Sequence, residues 1–437
     1  MDGRSSFVES FRMAAPYIHG HRGSTFVVLI GGEAALEKGF DPLMHDVALL
    51  HGLGVRLVLV HGTRPQIEKR LKDRGLPSRF VDEVRVTDRR TLACVHEAVG
   101  AARARFESML SMSAANTPMA GARIRVVGGN FVTAKPVGVR DGVDFLFTGE
   151  VRRVDAEGIG RQLDSGAIVL VSPLGFSPTG ETFNLASHDV ARSVAAALRA
   201  EKLIGLIEGR GIVDGEKRLI SHLTPREAEE VLHEKSRHGP DVRKHLAAAA
   251  GAVRDGVGRA HLVDRRRDGA LLQELFTREG SGTLVSTGAH EEVRAARIED
   301  VGPLSAMLRP LEEQGILVRR SRERLEMEID RFVVLERDGI LIGCSALEPF
   351  PDAKMAELYC VAVDPRYREG GRGEVLLDAM EKRARAMGLE RMFVLTTRSA
   401  HFFQERGFEP ASVQSLPPVR RATYDERRRS RVLVKEL

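Results

Sequence analysis

Short runs of aliphatic and β-branched residues recur along residues 25–285, most of them closed by glycine or aspartate. They are TFVVLIGG from Thr25, VRLVLVHG from Val55, RIRVVGG from Arg123, AIVLVSPLG from Ala167, EKLIGLIEG from Glu201 and GRAHLVD from Gly258. Runs this short and this rich in strand formers predict β-strands buried on both faces. Between them, Pro42–Leu53, Thr91–Ser113 and Thr182–Ala200 carry apolar residues at helical spacing. Continuously apolar strands alternating with helices predict an α/β unit with a largely parallel sheet covered on both sides. Asn130–Val154, where Val, Phe, Gly and Thr dominate, predicts a hairpin-rich insert. Ahead of these elements, Phe7, Phe11 and Ala14/Ala15 mark one face of an amphipathic helix within residues 1–20, expected to close before Pro16.

The pattern changes after residue 285. Residues 286–292, STGAHEE, are short, polar and glycine-containing, which reads as a hinge. This places a first domain at residues 21–287, a linker at 288–292 and a second domain at 293–437. From Val293 the expected order is a strand (VRAARI), helices at Asp300–Gln314 and Ser321–Ile329, and strands FVVLERD, ILIGCSALEPF and AELYCVAV. A helix, the strand RMFVLTT, a helix at Ala400–Arg406 and further strands complete a mixed α+β unit.

The most informative stretch lies inside this second unit. Leu358–Glu374, LYCVAVDPRYREGGRGE, is an apolar strand that stops at Asp364-Pro365, then a basic glycine-rich turn, then a helix start. That arrangement turns backbone N–H groups toward a phosphate.

Composition narrows the classes. A chain of 437 residues that is 43% hydrophobic supports two or three domains with their own cores. No run of about 18 uncharged apolar residues exists, so no membrane span is expected, and the N-terminal residues lack a signal-peptide core. Cys94, Cys344 and Cys360 lie far apart, with neither zinc spacing nor a disulfide framework, so a reducing cytoplasm and no metal are expected. The net charge of +5 invites a nucleic-acid reading. Acidic residues (61) are nearly as numerous as basic ones (66), and four Tyr without Trp offer little base stacking, so small anionic substrates are favoured over nucleic acid.

Arg368, Gly371 and Gly373 fit the R-x-x-G-x-G signature of the GNAT acetyltransferases, which cradle the pyrophosphate of acetyl-CoA there. GILVRRSRERLEMEID, the AELYCVAVDPRYREGGRGEVLL segment, MFVLTTRSAHFFQERGFEP and RRRSRVLVKEL resemble one GNAT subfamily, N-acetylglutamate synthase, across nearly all of residues 293–437. The resemblance implies acetyl transfer from acetyl-CoA to the α-amino group of L-glutamate, the first step of arginine biosynthesis. An amine must lose a proton before it attacks a thioester, and Glu357 matches the subfamily's proposed base. Main-chain groups of Cys360 and Val361 are expected to hold the acetyl carbonyl, and Val363 the pantetheine arm. Arg368, Gly371, Arg372 and Gly373 are expected to hold the phosphates. Cys360, an apolar-strand thiol, is not expected to be a nucleophile. Many GNAT enzymes place an acidic tyrosine beside the cofactor where this chain has Phe403, which leaves Thr396 and Ser399 as candidate acids. Two substrate carboxylates call for arginine forks. Arg319/Arg320, and Arg428 with Ser430, match substrate positions, Arg320 and Arg428 being preferred.

The first 285 residues resemble the amino-acid kinase family, specifically N-acetylglutamate kinase, through VVLIGG, VLVHGTRPQI, TGETFNLASHDVA and ALLQELFTREGSGTLV. The family's first lysine is replaced by Leu29, and its bare HGGGP loop reads His61-Gly62-Thr63-Arg64-Pro65. Its second lysine falls at His245 in one alignment, with Lys244 adjacent. Phosphoryl transfer needs that positive charge, so a silent domain is expected. What the resemblance leaves is an arginine-binding module made by FRMAAPYI, His261, Glu274 and Gly280, with the N-terminal helix joining subunits into a homo-oligomer, a hexamer. The expectation is therefore an amino-acid kinase-like αβα sandwich followed by a GNAT domain, with L-arginine as allosteric effector. A bifunctional synthase/kinase and an arginine-sensing protein acetyltransferase are the alternatives.

Overall fold

The computed structural model describes residues 3–112, 119–234, 237–277, 280–287, 291–337, 340–368 and 371–437. It divides into two compact units, Met1–Gly288 and Ala289–Leu437.

The first unit is built on an eight-stranded sheet. Its order is His222–Leu223, Thr283–Val285, Arg259–Asp264, Lys202–Ile207, Thr25–Ile30, Arg56–His61, Ile168–Val171 and Val126–Val127. All neighbours are parallel except Arg259–Asp264 with Thr283–Val285. Side-chain alternation feeds two cores from one strand. Val27 and Leu29 enter one apolar cluster, while Phe26, Val28 and Ile30 enter the other. This is the αβα sandwich expected from strands without a polar face. The Asn130–Val154 insert forms strands Val132–Pro136, Val139–Arg140, Val143–Asp144 and Gly149–Val154.

Two boundaries within this unit differ from the sequence reading. The N-terminal helix runs Gly3–His21, straight through Pro16. Proline removes one helical donor, the N–H toward the Arg12 carbonyl, but Pro16 and Arg12 are exposed, so water can serve that carbonyl. The far end is fixed by the bond of His21 Nε2 to the Leu275 carbonyl oxygen, 2.8 Å. Thr182–Asn184, read as the start of a helix, is a strand pairing with Leu174–Phe176, and the helix begins at Ser187.

The second unit has a seven-stranded sheet ordered Glu291–Ala295, Phe332–Arg337, Ile340–Phe350, Met355–Val363, Arg391–Thr396, Arg431–Glu436 and Glu409–Ala411. Its first strand begins at Glu291, inside the stretch read as linker, and residues 288–290 lie outside the described residues. Every neighbouring pair is antiparallel except Met355–Val363 with Arg391–Thr396. Helix Arg372–Ala386 covers one face through Leu376, Leu377 and Met380, and helix Val301–Glu313 covers the other through Leu304 and Leu308. Among the described residues no helix is long and apolar enough to cross a membrane.

Candidate active site

The chemistry of the second unit begins where its one parallel pair comes apart. Met355–Val363 runs beside Arg391–Thr396 only from Met355/Arg391 to Leu358/Val394. On its other edge it stays paired as far as Val363/Gly343. Past Leu358, one edge of the strand therefore has no ladder partner among the described residues. A bulge marks the same place. Cys344 pairs with Ala362 and Ala346 with Tyr359, and Cys360 lies between them at φ +51°, a left-handed conformation costly to a side chain. The bulge reverses the facing of the strand. Before it, Ala356 and Leu358 point into the core under helix Arg372–Ala386, and after it Val361 and Val363 pack there instead. Cys344 Sγ donates to the Cys360 carbonyl at 3.4 Å and holds the bulge. Both thiols are buried. Burial pushes the Cys360 thiol up to about 11 and Cys344 well above its ordinary value, so neither supplies a thiolate near neutrality.

The glycine turn feeds a helix start, as the sequence implied. Gly371 is left-handed (φ +73°) and its carbonyl accepts from Glu374 N at 2.9 Å. The N–H groups of Arg372 and Gly373, in the first turn of a 15-residue helix, precede the first intrahelical acceptors and are oriented for an anion. Residues 369–370, within the turn, lie outside the described residues. A Cβ at Gly373 would stand 2.9 Å from Phe402 Cζ, so only glycine lets the ring lie against the helix. Arg368 is exposed. Arg372 is turned back onto Glu291, with Nε at 2.8 Å, and donates to the Tyr367 carbonyl at 3.1 Å.

Glu357 is nearly buried, 12% exposed, and gripped through both oxygens by Arg420, whose Nη2 donates to Oε1 at 3.1 Å and whose Nε meets Oε2. Sequence reasoning missed Arg420, one arginine among many in a basic tail. Thr396 is buried and its Oγ1 accepts from the N–H groups of Ser399 (3.0 Å) and Arg398 (3.3 Å), while Ser399 is exposed. Thr396 therefore caps the turn into helix Ala400–Gln404. Its own hydroxyl proton has no acceptor among the described residues.

Of the two adjacent phenylalanines, Phe403 lies in the core and Phe402 lies against the glycine turn. Phe403 is 4% exposed and packs in the core against Phe408, 5.5 Å between ring centres. Phe402 is the ring against Gly373, with Arg406 stacked on it at 3.9 Å. Helical geometry sends adjacent side chains about 100° apart, so only one can face the turn.

The two preferred arginines are placed differently. Arg320 lies 4.8 Å over the Tyr359 ring and 3.7 Å from Glu328, and its Nε, the Glu328 Oε2 and the Tyr359 hydroxyl are all buried without hydrogen-bond partners among the described residues. Arg428 donates to the carbonyls of Gly315 (3.2 Å) and Ile316 (3.1 Å), closing the loop behind helix Val301–Glu313. Ser430 lines a separate pocket of about 450 Å³ with Ala400, Gln404 and Ser412, which includes neither Glu357 nor the glycine turn.

In the first unit, His261, Glu274 and Gly280 do come together. Glu274 accepts from His261 Nδ1 (2.7 Å) and from the N–H groups of Ser281 (2.5 Å) and Gly282 (2.8 Å), and a Cβ on Gly280 would stand 2.8 Å from its Oε2. Burial alone would raise this carboxyl, but the His261 bond and the two backbone donors outweigh it and hold Glu274 down at about 2. Burial lowers the His261 pKa from its ordinary value, against the opposing pull of the Glu274 bond.

The two glycine loops that carry the kinase resemblance lie close against each other. A Cβ on Gly62 would meet Gly32 N at 2.7 Å, and one on Gly32 would meet Gln66 Oε1 at 2.6 Å. Gln66 Nε2 donates to the Gly32 carbonyl at 2.6 Å, and Thr63 is buried beside it.

A splayed parallel strand pair and a glycine-started helix behind it, on a mixed sheet, define an acyltransferase domain that takes a phosphate-bearing donor. The comparisons agree. Residues 24–264 match the amino acid kinase family model and residues 305–408 the acetyltransferase (GNAT) family model. The chain is 56% identical to an amino-acid acetyltransferase of Azotobacter vinelandii and 54% identical to one of Pseudomonas aeruginosa, over 99% of both chains in each case. It resembles the crystal structure of N-acetylglutamate synthase from Neisseria gonorrhoeae complexed with coenzyme A and L-arginine, with TM-score 0.89 and 39% identity over 99% of each chain. The same enzyme with coenzyme A and N-acetyl-glutamate matches with TM-score 0.62 and 40% identity over 99% of each chain. The chain belongs to the amino-acid acetyltransferase family, and as a GNAT enzyme its acetyl donor is acetyl-CoA.

Proposed function

We propose that the enzyme acetylates the α-amino group of L-glutamate, the first step of arginine biosynthesis, and that L-arginine bound to the kinase-like domain inhibits it. The observation that carries this reading is Glu357, nearly buried and forked by Arg420, on the strand that parts from its neighbour one residue later. The N-acetyl-glutamate and L-arginine named with the Neisseria enzyme support the choice of acceptor and effector.

In this account the amine loses a proton to Glu357, directly or through water, and attacks the thioester carbon. The C–N bond forms, and the oxyanion is received by main-chain groups of Cys360 and Val361 on the open strand edge. The C–S bond then breaks, and the second proton leaving the nitrogen is relayed through Thr396, whose hydroxyl gives its own proton to the departing thiolate and takes the nitrogen's in exchange; that hydroxyl proton is not otherwise engaged among the described residues. Both Glu357 oxygens are already engaged, so the incoming amine displaces part of the Arg420 fork. Arg420 is then free to meet a substrate carboxylate, with Arg320 as the second fork. The phosphates of CoA lie at the N–H groups of Arg372 and Gly373, with Arg368 beside them. Arg372 orders the turn through Glu291, and Arg428 and Ser430 support the acceptor side. A covalent acetyl-Cys360 route is disfavoured by the raised pKa of that thiol.

The kinase-like domain is silent in this reading, because Leu29 stands where the family has lysine and Thr63-Arg64 stand where its loop is bare glycine, with Gln66 bonded to the Gly32 carbonyl. Arginine's guanidinium is taken by Glu274 beside His261 and Gly280. The N-terminal helix, with Phe11 60% and Met13 49% exposed, joins subunits of a cytoplasmic hexamer. Release of CoA with glutamate, measured with and without arginine, tests acceptor and effector together. Acetyl transfer to protein alone, or ATP-dependent phosphorylation of N-acetylglutamate, would establish one of the alternatives instead.

A further inference from the structure

The first unit holds a cluster that acetyl transfer does not use. His188 stands at the start of helix Ser187–Ala197, and Asp241 and His245 stand one turn apart at the start of helix Pro240–Arg254. Their ligand atoms all lie within 4.8 Å of one another. His188 Nε2 is 3.2 Å from His245 Nδ1, and the Asp241 carboxylate lies 3.8 Å from the first and 3.6 Å from the second.

These separations are those of a metal site before contraction. Ligands at about 2.0–2.1 Å from a tetrahedral zinc ion stand roughly 3.3–3.4 Å apart. Hydrogen bonding accounts for the arrangement less well. His245 Nδ1 is approached by the Asp241 carbonyl at 3.0 Å as well as by His188 Nε2 and the Asp241 carboxylate. A single N–H on His245 Nδ1 could only be shared between the carbonyl and His188 Nε2, and the carboxylate stands beyond hydrogen-bond distance of both rings; a cation held by the two ring nitrogens would give that carboxylate a partner. The seat is also shaped for the imidazole. His245 is 2% exposed, and a Cβ on Gly205 would reach its Cδ2 at 2.9 Å, so glycine in the central strand makes the room. Lys244, adjacent in sequence, is paired with Glu83, with Nζ 3.2 Å from Oε2. Asp241 is 46% exposed, which gives an ion a route in.

We infer that His188, Asp241 and His245 bind a divalent cation of the zinc class, with an open fourth position for water. Two imidazoles and one carboxylate suit zinc or cobalt and are too nitrogen-rich for magnesium or calcium. The ion would join helix Ser187–Ala197 to helix Pro240–Arg254 within the first unit. This site stands independently of the acceptor proposed for acetyl transfer.

The test uses the full chain, stripped with chelator and titrated with Co²⁺, whose visible absorption reports low-symmetry nitrogen coordination. One Co²⁺ per chain is expected, displaced by Zn²⁺, with a Zn²⁺-dependent rise in Tm. Asp241→Asn and His188→Gln should each weaken binding by more than about tenfold, since even outer partners of a metal site are worth that much. Both variants should keep the metal-free Tm and the acetyl-transfer rate of the parent, which separates lost ligation from misfolding. Absence of stoichiometric cobalt absorption, or binding that both variants leave unchanged, would overturn the inference.

Discussion

Acid should weaken the kinase-like unit through His61, at the end of a central strand. Its side chain is fully buried, Nε2 meets Ser172 Oγ at 2.9 Å, and Nδ1 finds no hydrogen-bond partner among the described residues. Burial lowers its pKa from 6.5 to about 4, against a smaller opposing contribution from the Gly62 backbone. Because the folded value is depressed, the unfolded chain takes the proton first as pH falls. Stability is intact above pH 6.5, drains away toward pH 4 and changes no further below that. The full shift corresponds to about 3 kcal/mol, of which about 2 kcal/mol falls between pH 6.5 and 4.5. That is a sizeable part of the roughly 5–15 kcal/mol that holds a domain together. His21, lowered to about 4 chiefly by burial, drains in the same window, so the effect of one site must be read by difference. His61→Gln keeps an amide toward Ser172 and cannot titrate. Urea unfolding followed by far-UV circular dichroism at pH 6.5, 5.5 and 4.5 should show the variant losing about 2 kcal/mol less than the parent over that range. Equal losses in the two proteins would refute the assignment of this acid sensitivity to His61.

Further outcomes concern the catalytic unit and its control. Glu357→Gln should lower the rate of acetyl transfer by roughly 10²–10⁴, the span of a general base, while CoA still binds. Isothermal titration with CoA alongside steady-state kinetics separates the two. Gly371→Ala forces a side chain into a left-handed conformation at about 1–2 kcal/mol, so KM for acetyl-CoA should rise roughly tenfold with little change at saturating donor. Deleting residues 1–18 should weaken arginine inhibition more than acetyl transfer, and inhibition curves on the truncated chain check it directly.

The elements that the sequence made legible are those whose burial pattern is uniform. The central strands of the first sheet are apolar at every position because helices cover both faces, and they lie where the runs of Val, Ile and Leu placed them. Thr182–Asn184 was misread because its partner is Leu174–Phe176, reached only after Pro173 breaks the preceding strand, and no local pattern announces such a pairing. The glycine turn was legible since Gly371 and Gly373 each answer a backbone demand, one of conformation and one of close approach. The bulge at Cys360 was not, because a cysteine in left-handed conformation is imposed by its neighbours across the sheet. Phe402 and Phe403 could be ordered only once helix Ala400–Gln404 had a direction. Arg420 reaches Glu357 across 63 positions, and nothing in its own neighbourhood marks it out from the other tail arginines.

The central claim is that the parted strand, the forked Glu357 and the glycine turn serve acetyl transfer to the amine of free glutamate. It is tested most directly by following N-acetylglutamate by mass spectrometry from purified chain, acetyl-CoA and an equimolar mixture of the protein amino acids, with and without L-arginine. The account predicts N-acetyl-L-glutamate as the dominant product, in amounts equal to CoA released and reduced by arginine. Dominant acetylation of another amino acid, or CoA release without any acetylated amino acid, would contradict it.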